Sequence, residues 1–114
     1  MQLGSHWIAE IEPSATEMLV EQHRVHSFLE QLPNALGLQV LGHPVVQQSD
    51  DGAVRGVVLL SESHASAHTD PERGLVYVDL FSCSPFEVRQ ARAVFLQFWP
   101  GVIKVERMIH RGET

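Results

Sequence analysis

The run Val54-Arg55-Gly56-Val57-Val58-Leu59-Leu60 constrains this chain more than any other segment. It is apolar and rich in β-branched residues, the mark of a well-buried strand. Ser49-Asp50-Asp51-Gly52 precedes it and carries the Asp-Gly pair of a hairpin turn. Residues 38–47 therefore form the strand before the turn, with Pro44 marking an edge or a bulge. A chain built around such a hairpin must supply further strands and something to cover them. Residues 6–12 alternate loosely as a first strand, residues 75–81 form another, and residues 102–109 alternate as the last. Between them, Met18, Val25, Phe28, Leu29 and Leu32 fall near helical spacing, so residues 15–32 form an amphipathic helix. Ser14 with Glu17 is its candidate capping box, and Pro33-Asn34 its end. Pro85 stands at the first position of a second helix over residues 86–98, which Pro100-Gly101 breaks.

The expected order is β-α-β-β-β-α-β. Two helices cannot cover both faces of such a sheet, so the fold class is α+β: a two-layer sandwich, an antiparallel sheet with two helices on one face. The 114 residues make a single domain, 1–114. The uncovered face of the sheet predicts a homodimer.

Composition narrows the class of function. At 44% hydrophobic and 19% charged residues the chain has an ordinary globular make-up. No apolar run approaches the roughly 18 to 20 residues of a membrane span. Met1-Gln2-Leu3-Gly4-Ser5-His6 has neither the basic region nor the apolar core of a signal peptide, so a cytoplasmic protein is expected. Cys83 is the one cysteine, which excludes an intrachain disulfide and leaves a free thiol. The net charge of −6 without a basic block argues against nucleic acid and is compatible with a cationic small substrate.

Chemistry concentrates in Ser61-Glu62-Ser63-His64-Ala65-Ser66-Ala67-His68-Thr69-Asp70-Pro71-Glu72, read as a loop that follows the buried strand directly. The residues themselves leave several readings open. One is a polar loop whose side chains bond to the backbone. Another is a metal site from His64 and His68, for which no third ligand is evident. A Ser63-His68-Asp79 triad lacks the Gly-x-Ser-x-Gly elbow. Cys83 ends the following strand, and were the two strands direct antiparallel neighbours, it and the start of the loop would lie far apart.

Residues 56–64, His68-Thr69, Pro71-Glu72, Gly74 and Val78-Asp79-Leu80-Phe81-Ser82-Cys83 resemble the bacterial S-adenosylmethionine decarboxylase proenzyme family. Residues 4–10, Val105-Glu106-Arg107 and His110-Arg111-Gly112 extend the resemblance over nearly the whole chain. It implies that Ser63 attacks the carbonyl of Glu62, exchanging the peptide bond for an ester. Elimination then cuts the chain between Glu62 and Ser63, into a β chain of residues 1–62 and an α chain of residues 63–114. The dehydroalanine left at position 63 takes up water and loses ammonia to become a pyruvoyl group, the covalent cofactor, which takes the substrate amine as a Schiff base and acts as electron sink. The resemblance implies that His68 handles protons during cleavage, and that Cys83 returns a proton to the substrate carbon after carbon dioxide leaves. A thiol with a pKa near 8.5 can do so near neutrality.

Three departures from the family bear on substrate and processing. Its His-Thr-Trp-Pro-Glu is here His68-Thr69-Asp70-Pro71-Glu72, and its phenylalanines before the buried strand are here Val45-Val46-Gln47-Gln48-Ser49. Those aromatics hold the adenine in the family, and each stacking face is worth about 1–3 kcal/mol. Asp70, with Glu72 beside it, suits instead the distal cation of L-arginine or L-ornithine, unless Asp70 simply starts a turn before Pro71. Arg55 replaces a serine that assists cleavage. The expected activity is a self-processing decarboxylase of polyamine biosynthesis acting on arginine or ornithine. S-adenosylmethionine is the alternative substrate, and an unprocessed binding or regulatory paralogue the alternative role.

Overall fold

A computed structural model describes residues 4–112; residues 1–3, part of the stretch judged above for a signal peptide, and 113–114 lie outside the described residues. The elements are β1 (Gly4–Pro13), a short 3-10 turn (Thr16–Val20), α1 (Gln22–Leu36), β2 (Val40–Gln48), β3 (Val54–Leu60), β4 (Ser63–Asp70), β5 (Leu75–Ser82), α2 (Val88–Phe98) and β6 (Gly101–Arg111). The sheet is antiparallel throughout, in the order β2-β3-β4-β5-β1-β6. The α+β sandwich with helices on one face is as expected. The element that sequence periodicity missed is β4, taken there for a loop.

Helix boundaries also differ. Ser14 and Glu17 make no capping box: the 3-10 turn has Ala15 at its N-cap, without a side-chain cap. The Ser14 amide bonds instead to the Pro100 carbonyl at 2.7 Å. Helix α1 runs through Pro33 to Leu36. Gly37, at φ 71°, ends it, with its N–H on Asn34 O at 3.2 Å and that of Leu38 on Pro33 O at 2.9 Å. This paired closure uses carbonyls left over in the last turn and needs the left-handed glycine. Pro33, near the end, forfeits only its own N–H bond there. Pro85 lies ahead of α2, in the irregular segment 83–87.

Packing follows strand alternation. Trp7, Ala9 and Ile11 of β1, Val58 and Leu60 of β3, Ala65 and Ala67 of β4, and Val76, Val78 and Leu80 of β5 are buried beneath the helices. Phe28 of α1 meets Phe95 of α2 at 5.7 Å and Trp99 at 5.1 Å between ring centroids. Each tilted ring pair adds about 0.5–1.5 kcal/mol beyond burial. Gly56 lets α1 approach β3, since a Cβ there would stand 2.9 Å from Leu29 Cδ1 and 3.0 Å from Val25 Cγ1. The opposite face carries His6, Glu10, Arg55, Val57, Leu59, His64, His68, Tyr77 and Phe81. With both helices elsewhere, Leu59 is 60% exposed and, on β2, Val45 63%.

Glu106 of β6 ties the two layers. It accepts from Trp7 Nε1 at 3.0 Å and from Arg92 of α2 at 3.0–3.2 Å. Burial raises its pKa, but the Arg92 and Trp7 bonds with the Arg92 charge outweigh that and hold it below the ordinary 4.5. A depressed carboxylate contributes stability that is present above its unfolded pKa and is lost as pH falls through the folded one. Glu106→Gln is therefore expected to destabilise by about 1–3 kcal/mol near neutrality. In urea denaturation that gap should close as the pH is lowered into the acid range; a gap independent of pH would contradict this account.

Candidate active site

The Glu62–Ser63 bond lies at the tip of a hairpin. Leu60 of β3 pairs with Ser63 of β4, leaving Ser61 and Glu62 as a two-residue turn, both exposed. The Ser61 amide is anchored to Gln39 O at 3.0 Å. From Ser63 the strand alternates. Ala65, Ala67 and Thr69 face the helices and are buried, while His64 and His68 point to the free face and are exposed. Thr69 Oγ1 accepts from the Val54 amide at 2.8 Å, locking the far end of the hairpin. The period-2 pattern was present in the sequence, but Ser, Ala and Thr carry it too weakly to register as an apolar strand face.

The extra strand answers the question of Ser63 and Cys83. Because β4 lies between β3 and β5, the start of β4 and the end of β5 share one end of the sheet. His64 pairs with Phe81, so Ser63, one position further, comes level with Ser82, the neighbour of Cys83. The sheet continues this rung through Ser82↔Ser5 and Ser5↔His110. Ser5 Oγ and His110 Nδ1 are 3.3 Å apart. Ser5, Ser82, Cys83, Phe86, Met108 and His110 line a hollow of about 380 Å³ beside the exposed thiol. On the free face of the same end, Phe81 stands between His64 at 6.1 Å and His6 at 6.3 Å, with the Arg111 guanidinium 4.7 Å from its ring centre. Sequence reasoning singled out His64 only as a candidate metal ligand beside His68; the β1-β5-β4 register is what gathers it with His6 and Phe81.

His68 is not brought to Ser63 within the chain. It lies five positions along an extended strand, about 16 Å away at ~3.3 Å per residue, and on the opposite face. Its neighbours are Arg55 on β3 and Tyr77 on β5, the latter ring at 6.0 Å. The same spacing holds His64 and His68 about 13 Å apart, too far to share an ion. Asp79 pairs with His6 at 3.0 Å and is level with Ser66, so it orients neither Ser63 nor His68 as a triad would require.

Asp70 ends β4 and leads into the turn of residues 71–74. Its carboxylate accepts from the Arg73 amide at 3.0 Å, Arg73 Nη1 at 3.1 Å and the Tyr77 hydroxyl at 3.0 Å. Its carbonyl accepts from the Gly74 amide at 2.8 Å. The Arg73 amide, with smaller help from Tyr77 and the Arg73 side chain, holds it below the usual 3.8 against the opposing effect of burial. Both oxygens thus have partners within the chain. Glu72 is exposed on the same turn, at the opposite end of β4 from Ser63.

Residues 5–111 match the family model described as S-adenosylmethionine decarboxylase. The S-adenosylmethionine decarboxylase proenzyme of Archaeoglobus fulgidus is 37% identical over 98 residues, covering 85% of this chain and 87% of that protein. That of Caldanaerobacter subterraneus subsp. tengcongensis is 31% identical over 107 residues, 94% of this chain and 78% of the relative. The crystal structure of the adenosylmethionine decarboxylase from Aquifex aeolicus superposes with a TM-score of 0.85 at 25% identity, covering 99% of this chain and 93% of that one.

Proposed function

The chain belongs to the S-adenosylmethionine decarboxylase family and is a pyruvoyl-dependent decarboxylase, a carboxy-lyase; from that premise we propose that it cuts itself between Glu62 and Ser63 and decarboxylates S-adenosylmethionine. The observation that carries the reading is the shared sheet end of Ser63 and Cys83, with the scissile bond on an exposed turn. The site fits a group made from Ser63: the residue opens a strand, so cutting before it leaves β4 paired on both sides and frees only the turn. The pyruvoyl carbonyl supplies the electron sink for the carbon that loses carbon dioxide. Cys83 holds a proton at Sγ and returns it to that carbon. Ser63 Oγ attacks the Glu62 carbonyl carbon, an ester C–O bond replaces the C–N bond, and the Ser63 nitrogen takes up a proton.

Two observations favour S-adenosylmethionine over arginine or ornithine as substrate. Asp70, the residue on which the basic amino acids depended, already accepts three bonds from Arg73 and Tyr77. The rings of His6, His64 and Phe81, set at angles to one another with Arg111 over Phe81, gather aromatic groups for contact with a planar base at the Ser63 end. Carbon dioxide release from S-adenosylmethionine, arginine, ornithine and lysine tests the reading. Turnover of S-adenosylmethionine is expected to exceed that of each amino acid at least ~100-fold. A preference for arginine or ornithine would overturn it.

The distance between Ser63 and His68 supports a homodimer as part of this proposal. A His68 that handles the cleavage proton would then come from a second chain that meets this one at the Ser63 end of the sheet, and the same contact would cover Leu59 and Val45 of the free face. Asp70 and Glu72, at the far end of β4, would reach the site the same way, as positioning or binding groups. Co-expressing Ser63→Ala with His68→Ala chains checks this, because a mixed dimer rebuilds one complete site. The His68→Ala copy is expected to be cut only when its partner is present. A sedimenting monomer with full activity would remove the claim. Among the described residues no helix is long and apolar enough to cross a membrane, and the partner proposed besides a second copy is the small-molecule substrate.

A further inference from the structure

We propose that Ser82 is a positioning residue for Cys83, its hydroxyl closing the turn on which the thiol stands. The proposal rests on the reading of Cys83 as proton donor. Ser82 ends β5 and is 1% exposed, on the face where Val76, Val78 and Leu80 are buried. The pattern of that face calls for an apolar side chain, and a buried hydroxyl costs free energy unless it is bonded. Here it is bonded twice to one residue. Ser82 Oγ donates to the Ser84 carbonyl at 2.7 Å and accepts from the Ser84 amide at 3.0 Å. The two bonds bracket Cys83, so its backbone cannot shift without breaking both.

Residues 83–87 form neither helix nor strand. Cys83 is exposed, so burial does not hold its thiol in place. A general acid displaced by about 1 Å loses on the order of 10²-fold in rate, even when the change is remote from the chemistry. The clamp therefore acts on the proton-transfer step, not on substrate affinity, and its loss should fall on kcat.

The test uses the self-cleaved enzyme, with kcat expressed per cleaved chain, so that any effect on cleavage is removed. Ser82→Ala is expected to lower kcat by about 10- to 100-fold with KM unchanged within about twofold. Ser82→Thr, which keeps the hydroxyl, is expected to return kcat to within about threefold of wild type. Deuterium exchange at the Ser84 amide should quicken at least ~10-fold in Ser82→Ala and not in Ser82→Thr. Should the alanine variant fail to fold, Ser82→Thr against Ser82→Val makes the same comparison at constant shape. Equal kcat in that pair, or a loss carried wholly by KM, overturns the proposal. Cys83→Ala run alongside separates the two readings. If it turns over normally, the proton-donor reading falls. If it is slow while Ser82→Ala is fast, only the clamp falls.

Discussion

Ser63→Ala is expected to remain a single chain of 114 residues and to release no carbon dioxide above the uncatalysed background. The wild type is expected to separate into residues 1–62 and residues 63–114, the second without a free amino group at its start. Intact mass spectrometry reads both outcomes directly. The effect is total because the hydroxyl is both the attacking group and the source of the cofactor. Misfolding is a poor competing explanation: the half-buried Ser63 opens β4 at the turn, and surface-edge substitutions of this kind change stability by about 0.5 kcal/mol. A wild type that stays whole after prolonged incubation would instead support the non-catalytic paralogue. Arg55, directly beside His68 on the free face, would then be the first residue to revert to serine.

Cys83→Ala separates cleavage from turnover. Cleavage is expected to proceed, because the hydroxyl and the bond it attacks both belong to the Ser61-Glu62-Ser63 segment and the thiol takes no part in that step. Decarboxylation of S-adenosylmethionine is expected to slow by about 10²- to 10⁴-fold, the usual worth of a positioned acid or base. The thiol is exposed, so the fold loses almost no packing with it. Equal turnover in the variant would reduce Cys83 to a surface residue, and uncut protein would mean that it serves the first reaction as well.

Much of this molecule was legible without coordinates. The apolar run Val54–Leu60, its Asp-Gly turn and two helical stretches specified an antiparallel α+β sandwich, because strand and helix periodicities are local properties of side-chain order. The Glu62-Ser63-His64 block and Cys83 likewise named the chemistry through their resemblance to a family. Local signals failed where side chains were too small or too polar to show a face. Ala65, Ala67 and Thr69 are fully or almost fully buried, yet they read as a loop because histidines and serines alternate with them.

Tertiary structure decided which of the named residues meet. Ser63 and Cys83 share a sheet end only because β4 pairs with both β3 and β5. His68 and Ser63, five positions apart and adjacent in any list of motif residues, point to opposite faces of the sheet. Asp70 resembles a free anion until β5 brings the Tyr77 hydroxyl to it. Composition and spacing determined the elements and the kind of chemistry; strand register determined the geometry. Register is set by hydrogen bonds between distant segments and by which alternate side chains the helices can bury, and neither can be read from a residue's immediate neighbours.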